Sequence, residues 1–246
     1  MKIYLSLLIL EILLSRSWGN ECECASLSKN RTTLFVLAHP DDETLFMMPT
    51  IAYLRSQNVD QYFFYFTNGT KYVTIFLKGN ASGKGLQRER ELQDWVEYLE
   101  IHPSHLFILH DPRIQDGMEE KWNITLCQEY LERFILSHSI TEVRTFDSRG
   151  VSGHPNHIST FLTVCSIREK FKDVSFLTLY SMSLLSKYTG PISLLLASGK
   201  RDEVVKASNP LLTHQLFQFH QSQITWYRIL FTFISQYSYR NIWNNC

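Results

Sequence analysis

The stretch Leu34-Phe-Val-Leu-Ala-His39-Pro-Asp41-Asp42-Glu43 joins a short apolar run to a cluster of side chains that can bind a metal. The apolar part has the length of a buried strand. In an α/β domain, the carboxyl ends of strands are where ligands and catalytic groups gather. His and Asp are good zinc ligands, and a spare carboxylate beside them can serve as a base. The stretch therefore predicts a strand of an α/β sheet that ends in a metal-dependent site.

A second cluster of the same kind, Gly153-His154-Pro155-Asn156-His157, lies about 115 residues later. It again follows a strand-like run, Val143–Phe146. Taken alone, each cluster is also typical of a helix start, where a polar side chain caps the first turn. Two such clusters at two strand ends of one α/β domain favour a shared metallohydrolase site.

These side chains form the inventory of a zinc hydrolase. Zinc at a hydrolytic site takes about three protein ligands and keeps one position for water. We predict His39 and Asp42 as ligands from the first cluster and His157 from the second. Asp41 then remains free to take the proton of an attacking water as a general base. His154, one helical turn before His157, can stabilise a developing oxyanion or pass a proton to the leaving group.

Apolar runs of strand length alternate along the chain with segments of helical periodicity. This alternation predicts a Rossmann-like, three-layer α/β domain with a mostly parallel sheet covered on both faces. The predicted strands are Leu34–Leu37, Tyr62–Phe66, Leu106–Leu109, Glu142–Phe146 and Val174–Tyr180. The predicted helices are Glu43–Gln57, with a bend at Pro49, Leu86–Leu99, Ile124–Ser137 and Asn156–Phe171.

The composition is that of an ordinary globular protein, with 44% hydrophobic and 20% charged residues among 246. Its 24 basic and 24 acidic residues balance, and no block of like charge provides the footprint of a nucleic-acid binder. We find no internal repeat and no low-complexity linker. Residues 30–246 are therefore predicted to form one domain, preceded by a separate hydrophobic segment, residues 1–29.

Both ends of the chain carry apolar segments that a membrane could hold. Near the N-terminus, Lys2 precedes the run Ile3–Leu14, which has the length of a signal-peptide core and is shorter than a membrane-spanning helix. A cleaved signal and a short membrane anchor both fit this run. The aromatic tail from Phe217 onward is either a closing helix packed on the sheet or a segment that lies in a membrane interface.

Several ordered motifs resemble the N-acetylglucosaminyl-phosphatidylinositol de-N-acetylase family, the LmbE-like zinc deacetylases, and its eukaryotic branch in particular. Besides the two clusters above, the matching motifs are Thr67-Asn68-Gly69, Arg88-Glu-Arg-Glu91-Leu92, Phe146-Asp147-Ser-Arg-Gly150-Val-Ser-Gly-His154 and Ser222-Gln223-Ile-Thr-Trp226-Tyr-Arg228. The resemblance runs from about Leu34 to the C-terminus. It implies an LmbE-like fold.

The resemblance implies the same ligand, base and electrostatic roles that the chemistry of the two clusters predicts. The metal it implies is Zn²⁺, although another divalent ion also fits such ligands. It adds two substrate contacts, Arg88 for a phosphate and Asp116 for sugar hydroxyls. The chain departs from bacterial relatives at Asn156, where those often have Asp.

The implied reaction is hydrolysis of the N-acetyl group of N-acetylglucosaminyl-phosphatidylinositol, which yields glucosaminyl-phosphatidylinositol and acetate. In the family this is an early step of glycosylphosphatidylinositol-anchor synthesis. The alternatives are deacetylation of another N-acetylglucosamine conjugate, and a non-catalytic homologue that only binds a glycolipid. The implied partner is a glycolipid substrate in a membrane, which the enzyme reaches through its N-terminal segment or its aromatic tail.

The resemblance also implies a location, the endoplasmic reticulum membrane with the catalytic domain in the cytosol. Arg16, Lys29 and Arg31 follow the apolar run while only Lys2 precedes it, which favours a cytosolic C-terminal side. The rival expectation is a lumenal or secreted protein after signal cleavage. The sequons at Asn30, Asn68, Asn80 and Asn123 give that rival weak support.

Overall fold

Seven strands form one sheet in the part of the chain that the computed structural model describes, residues 31–69, 84–195 and 203–246. The strands are β1 (Thr32–Leu37), β2 (Asp60–Tyr65), β3 (Leu106–Ile108), β4 (Glu142–Phe146), β5 (Ser175–Leu179), β6 (Glu203–Lys206) and β7 (Arg240–Asn245). Their order across the sheet is β3-β2-β1-β4-β5-β7-β6. The first five strands in this order pair in parallel, and β7 is antiparallel to both of its neighbours.

Helices cover both faces of the sheet and confirm the predicted three-layer α/β architecture. They are α1 (Asp42–Phe46), α2 (Met48–Ser56), α3 (Gly85–Tyr98), α4 (Ile124–Ser137), α5 (Pro155–Ile167), α6 (Leu184–Lys187), α7 (Leu212–Phe217) and α8 (Trp226–Ile234). Side chains alternate along β1, so Phe35 and Leu37 enter one core and Leu34 and Val36 enter the other. The sheet is thus apolar on both sides, as parallel sheets usually are.

The predicted bent helix Glu43–Gln57 is two helices, α1 and α2, which divide at Met47. Pro49 lies in the first turn of α2, where the backbone N–H that proline lacks would have no helical partner. The proline therefore starts a helix here and does not bend one. The break allows α1 to stay short beside the site at the end of β1.

The sheet reverses its order beside β1, because β2 follows on one side and β4 on the other. Such a reversal leaves a crevice at the carboxyl ends of the two central strands, where ligands bind in open α/β sheets. The loops after β1 and β4 carry the two clusters of metal-capable residues. The topology thus brings together residues that lie far apart in the sequence.

The C-terminal part of the chain adds two strands that the sequence did not predict. β7 enters the sheet between β5 and β6, and Trp243 is fully buried in the core. Cys246 follows β7 and forms a disulfide with Cys165 of α5. The tail from Phe217 is therefore partly core, while α8 lies at the surface.

No helix within the described residues is long and apolar enough to cross a membrane. The predicted hydrophobic segment, residues 1–29, lies outside the described residues, so its role stays a prediction.

A buried ion network ties the added strands to the parallel core. The fully buried Arg144 of β4 donates from Nε to Glu142 Oε1 at 2.6 Å and from Nη2 to Glu203 Oε2 of β6 at 2.7 Å. Its guanidinium also lies 4.7 Å from the ring centroid of Trp243 in β7. One side chain therefore connects strands β4, β6 and β7.

We expect Arg144→Ala to lower the free energy of unfolding by about 3–5 kcal/mol, because it removes the fully buried cation that joins Glu142 and Glu203 and leaves the buried Glu142 with Arg31 alone. The matched control is Arg55→Ala, which removes the exposed pair with Glu100 and should cost less than about 1 kcal/mol. Urea denaturation of both variants measures the difference. Equal stability losses would contradict a structural role for the buried network.

Candidate metal centre and active site

The loop after β1 holds its two aspartates in different ways. The Asp42 carboxylate accepts hydrogen bonds at Oδ2 from the backbone N–H groups of Ala38 and His39, at 3.1 and 2.9 Å. Asp41 has a φ of 106°, a left-handed conformation that is uncommon outside glycine. Its backbone N–H donates to Glu43 Oε2 at 3.0 Å, which holds that conformation. The loop therefore fixes the direction of both carboxylates.

The loop after β4 packs tightly around His157. Gly150 has a φ of +54°, and a Cβ there would lie 2.8 Å from the Cβ of His157, so only glycine fits. The Gly150 carbonyl accepts a hydrogen bond from His157 Nδ1 at 3.1 Å. The imidazole stacks on Phe146, with ring centroids 4.1 Å apart and an interplanar angle of 3°. These contacts occupy Nδ1 of His157, so Nε2 is the nitrogen that could bind a metal.

The two loops meet at Asp42, which contacts both predicted histidine ligands. Its Oδ1 lies 3.1 Å from His157 Nε2, and its Oδ2 lies 3.4 Å from His39 Nδ1. The other nitrogen of His39, Nε2, donates to Asp116 Oδ1 at 3.1 Å. Each imidazole thus has one nitrogen held by an outer partner and the other directed at Asp42, the arrangement that orients metal-binding histidines in proteins.

The donor chemistry fits a divalent transition metal. Buried imidazole nitrogens and a carboxylate that approach one another in this way are ligands that zinc accepts. Close groups of donor atoms, all within 4.8 Å of one another, are formed by His39 with His154 and His157 and by His39 with Asp41 and Asp42. The structure therefore brings together all five residues that the sequence analysis assigns to metal and catalysis.

The electrostatics of the site favour ionised carboxylates around a protonated His39. Burial disfavours a charged imidazole, but Asp42 and Asp116 outweigh this effect and raise the pKa of His39 to about 10. Burial likewise opposes ionisation of Asp42, yet the charges of His157 and His39 hold its pKa well below the usual range. For Asp116, hydrogen bonding to His39 overcomes burial and lowers the pKa to about 2.

His154 differs from His39 because it is neutral near pH 7. Burial and the nearby charges of His39 and His157 lower its pKa to about 4. Its Nδ1 accepts the backbone N–H of Asn156 at 3.3 Å and caps α5. The single proton of the neutral ring is therefore on Nε2, where it can be donated to a ligand.

Asp41 is buried beside two arginines. Arg228 of α8 donates from Nη1 to Asp41 Oδ2 at 2.7 Å, and Arg88 Nη2 lies 3.5 Å from Oδ1. Burial raises the pKa of the Asp41 carboxyl, and the two guanidinium groups offset part of that increase. A carboxylate with a raised pKa, next to the predicted metal ligands, has the properties that a general base needs.

The two predicted substrate contacts, Arg88 and Asp116, both lie at the site. Arg88 is buried and donates from Nη2 to the Pro40 carbonyl at 2.5 Å and from Nη1 to the Gly69 carbonyl at 3.3 Å. Asp116 binds His39, and its side chain is 25% exposed. Arg88 therefore braces the loop after β1, and Asp116 faces the opening. Binding of a phosphate or a sugar by these residues stays a prediction.

Sequence reasoning missed a buried pair that supports the loop after β1. His220 Nε2 lies 2.7 Å from Glu43 Oε1, and both side chains are almost completely buried. Glu43 Oε2 accepts hydrogen bonds from the Tyr65 hydroxyl and the Asp41 N–H, each at 3.0 Å. Glu43 stood in the first cluster, but nothing in the sequence connected it with a histidine that follows the distant helix α7.

Binding of a divalent metal should release about one proton at pH 7, because His39 with a pKa of about 10 must lose its proton to become a ligand. The apparent affinity should therefore rise with pH. Calorimetric titration with Zn²⁺ in phosphate and in Tris, whose heats of ionisation differ, measures the released protons. Asp116→Asn, which removes one of the charges that raise this pKa, should shift the pH dependence of metal affinity to lower pH. Equal heats in both buffers would contradict the assignment.

A family model supports the assignment of this chain independently of the geometry. The model described as PIG-L, GlcNAc-PI de-N-acetylase, matches residues 34–167. This range contains both loops of the site, from β1 to the end of α5.

Curated relatives and solved structures agree with that match. The chain is 31% identical over 218 residues to the probable N-acetylglucosaminyl-phosphatidylinositol de-N-acetylase of Schizosaccharomyces pombe, covering 85% of this chain and 84% of the relative. It is 33% identical to the Bos taurus enzyme of that name, with 83% and 79% covered. The N,N'-diacetylchitobiose deacetylase of Pyrococcus horikoshii shares the fold, with a TM-score of 0.58, 15% identity, and 93% and 82% covered. The chain belongs to the GlcNAc-PI de-N-acetylase family of hydrolytic deacetylases.

Proposed function

We propose that this protein hydrolyses the N-acetyl group of N-acetylglucosaminyl-phosphatidylinositol, giving glucosaminyl-phosphatidylinositol and acetate, in glycosylphosphatidylinositol-anchor synthesis. The family membership supports this substrate. The observation that carries the chemistry is the Asp42 carboxylate between His39 and His157, with Asp41 buried beside it.

The metal in this proposal is Zn²⁺, held by His39 Nδ1, Asp42 and His157 Nε2. Nitrogen and oxygen donors in this number suit zinc and leave a position for water. A zinc ion there would polarise the acetyl carbonyl and make a water molecule acidic near neutral pH. Asp116 and the Gly150 carbonyl hold the outer nitrogens of the two histidines, so the ligand atoms keep their directions.

Asp41 is the general base of the proposed reaction. Its carboxylate takes a proton from the attacking water, while Arg228 and Arg88 keep the carboxylate in place. The oxygen of that water forms a bond to the acetyl carbon, and the C–N bond then breaks. The proton that Asp41 took passes to the nitrogen, which leaves as the amine, and the acetyl group leaves as acetate.

His154 is the electrostatic partner in this scheme. Its protonated Nε2 can donate a hydrogen bond to the oxygen that gains negative charge as water adds to the carbonyl. The cap to Asn156 fixes the ring and selects this tautomer. A neutral donor suits a site that would hold a positively charged metal, because it would add no repulsion.

Asp41→Asn should retain zinc but lose about 10²–10⁴-fold in deacetylation rate, because an amide cannot accept the proton of water. The matched control is Asp94→Asn, an exposed aspartate of α3, which should leave the rate unchanged. Metal analysis and release of acetate from a water-soluble N-acetylglucosaminyl-inositol analogue measure the two properties. Wild-type turnover by a zinc-loaded Asp41→Asn variant would remove Asp41 from this role.

We also propose that the protein is held at the endoplasmic reticulum membrane with its catalytic domain in the cytosol, as expected from the resemblance and from the basic residues after Ile3–Leu14. One observation favours the lumenal rival. Cys165 and Cys246 form a disulfide, with Cα atoms 5.4 Å apart, and such bonds persist mainly in oxidising compartments.

The sequon at Asn123 can decide between the two sides, because this residue is exposed, whereas Asn68 is nearly buried. In cells, we expect Asn123 to carry no glycan and Cys165 and Cys246 to react with a membrane-permeant thiol reagent without prior reduction. Glycosidase treatment and alkylation shifts on gels measure both. A glycan on Asn123 together with protected cysteines would place the domain in the lumen.

A further inference from the structure

Helix α8 has one face that is exposed, apolar and aromatic. Trp226 leaves 77% of its surface accessible, and Tyr227, Leu230 and Phe233 are also exposed. These positions follow the helical spacing and form one stripe. Large apolar side chains that are exposed together in this way mark an interaction surface, whereas single ones are common on any protein.

A neighbouring segment extends this surface. Leu184, Leu185, Tyr188 and Ile192, in and after α6, are exposed, and Leu185 leaves 88% of its surface accessible. The segment packs along α8, since the rings of Tyr188 and Phe231 have centroids 6.3 Å apart. We call the eight exposed side chains of both segments the apolar face.

Gly190 allows this close packing. Its φ is +48°, and a Cβ there would lie 3.2 Å from the carbonyl oxygen of Ile234, at the end of α8. A larger residue would separate the two segments. The apolar face is therefore a single surface made by two packed elements.

The opposite side of α8 points at the active site. Arg228 donates to Asp41 Oδ2 at 2.7 Å and to Gln223 Oε1 at 2.9 Å. One turn later, the buried Thr232 is 3.0 Å from His214 Nδ1. The helix thus places the apolar face on one side and a contact to the proposed general base on the other. Only the width of one helix separates them.

The lack of outward charge on the apolar face suits a lipid surface. Residues 184–195 and 226–234 contain no Asp or Glu. Their two cations, Lys187 and Arg228, are both turned inward, to the Val151 carbonyl and to the Asp41 carboxylate. The outward surface is therefore uncharged and aromatic, as in segments that lie at a membrane interface.

The exposed charges where the two segments begin are positive, whereas the carboxylates there, Glu91 and Asp147, are buried or partly buried and accept hydrogen bonds from Ser222 and Ser181. Lys84 Nζ is 3.4 Å from the carbonyl of Ser222, ahead of α8, and Arg149 Nη2 donates to the carbonyl of Ser181, ahead of α6. Both arginine and lysine are exposed. An apolar surface with cations at its margins complements a bilayer that contains anionic headgroups.

We propose that the apolar face inserts into the interfacial region of a phospholipid bilayer and thereby holds the active site at the membrane surface. The occupant is the bilayer itself. The inference deepens the proposed function, since it rests on a lipid substrate, and it explains why the helix that bears Arg228 is aromatic on its outer side. A substrate headgroup would then meet Asp41 without leaving the membrane surface.

Quenching by brominated lipid tests the insertion directly. Full-length protein is mixed with vesicles of brominated phosphatidylcholine and phosphatidylserine, and its tryptophan emission is compared with that of Trp226→Phe. We expect the wild type to lose more emission than this variant, because Trp226 enters the acyl boundary. Equal quenching of the two proteins would overturn the proposal, and the test needs neither metal nor substrate.

A double substitution, Trp226→Gln with Leu230→Gln, tests the consequence for activity. It should lower kcat/KM for the glycolipid in vesicles about 10- to 100-fold, because two large apolar groups no longer insert. Activity on a soluble N-acetylglucosaminyl-inositol analogue should stay within about twofold, since an enzyme that acts on a dissolved substrate gains nothing from binding to the membrane. The matched control, Leu136→Gln with Leu162→Gln, changes exposed leucines of α4 and α5 and should alter neither activity.

Three results of these experiments would overturn the insertion. If the double variant lost equal activity on both substrates, the face would be part of the catalytic machinery. If it kept full activity on vesicles, the face would not dock on the membrane. If light scattering showed the wild type as a dimer and the double variant as a monomer, the apolar face would bind a second copy of the chain. If the zinc-loaded wild type deacetylates neither substrate, the proposed function fails, while the quenching result still decides the docking.

Discussion

The site depends on one shared carboxylate, that of Asp42. It binds two backbone N–H groups of its own loop and contacts one histidine from each strand end. An unpaired carboxylate in this position would be costly, because burial removes its water. The histidines and the loop therefore have to be present together for Asp42 to stay ionised. The candidate metal site and the packing of the two central strands are, in this sense, one structural unit.

A second buried pair, Glu43 with His220, supports the unusual backbone conformation of Asp41. The backbone of Asp41 has a positive φ of 106°. Residues other than glycine keep such an angle only where their surroundings hold it. Glu43 supplies this restraint by accepting the Asp41 N–H, and His220 Nε2 contacts the other Glu43 oxygen at 2.7 Å. The segment that follows α7 thus helps to set the direction of the proposed base, although it is distant from Asp41 in the sequence.

Sequence patterns predicted what is local. The strand β1 and its cluster, the strand β4 and its cluster, and the alternation of strands and helices all follow from short-range periodicity and composition. The strands β6 and β7 escaped prediction because Glu203–Lys206 and Arg240–Asn245 carry charged and polar residues that are paired only in the fold. The contact of Arg228 with Asp41 spans 187 residues, so no local pattern could reveal it, even within a motif that the family resemblance singled out.

The hydrogen bond between Asn156 and Asp116 constrains how these two positions can evolve. The Asn156 amide donates to Asp116 Oδ1 at 3.0 Å, beside the nitrogen of His39 that the same oxygen accepts from. A carboxylate at position 156 would lose this donation and place a second negative charge against Asp116. The two positions should therefore change together as lineages diverge, with the carboxylate moving from one to the other. Covariation of this kind would record which oxygen orients the first histidine in each branch.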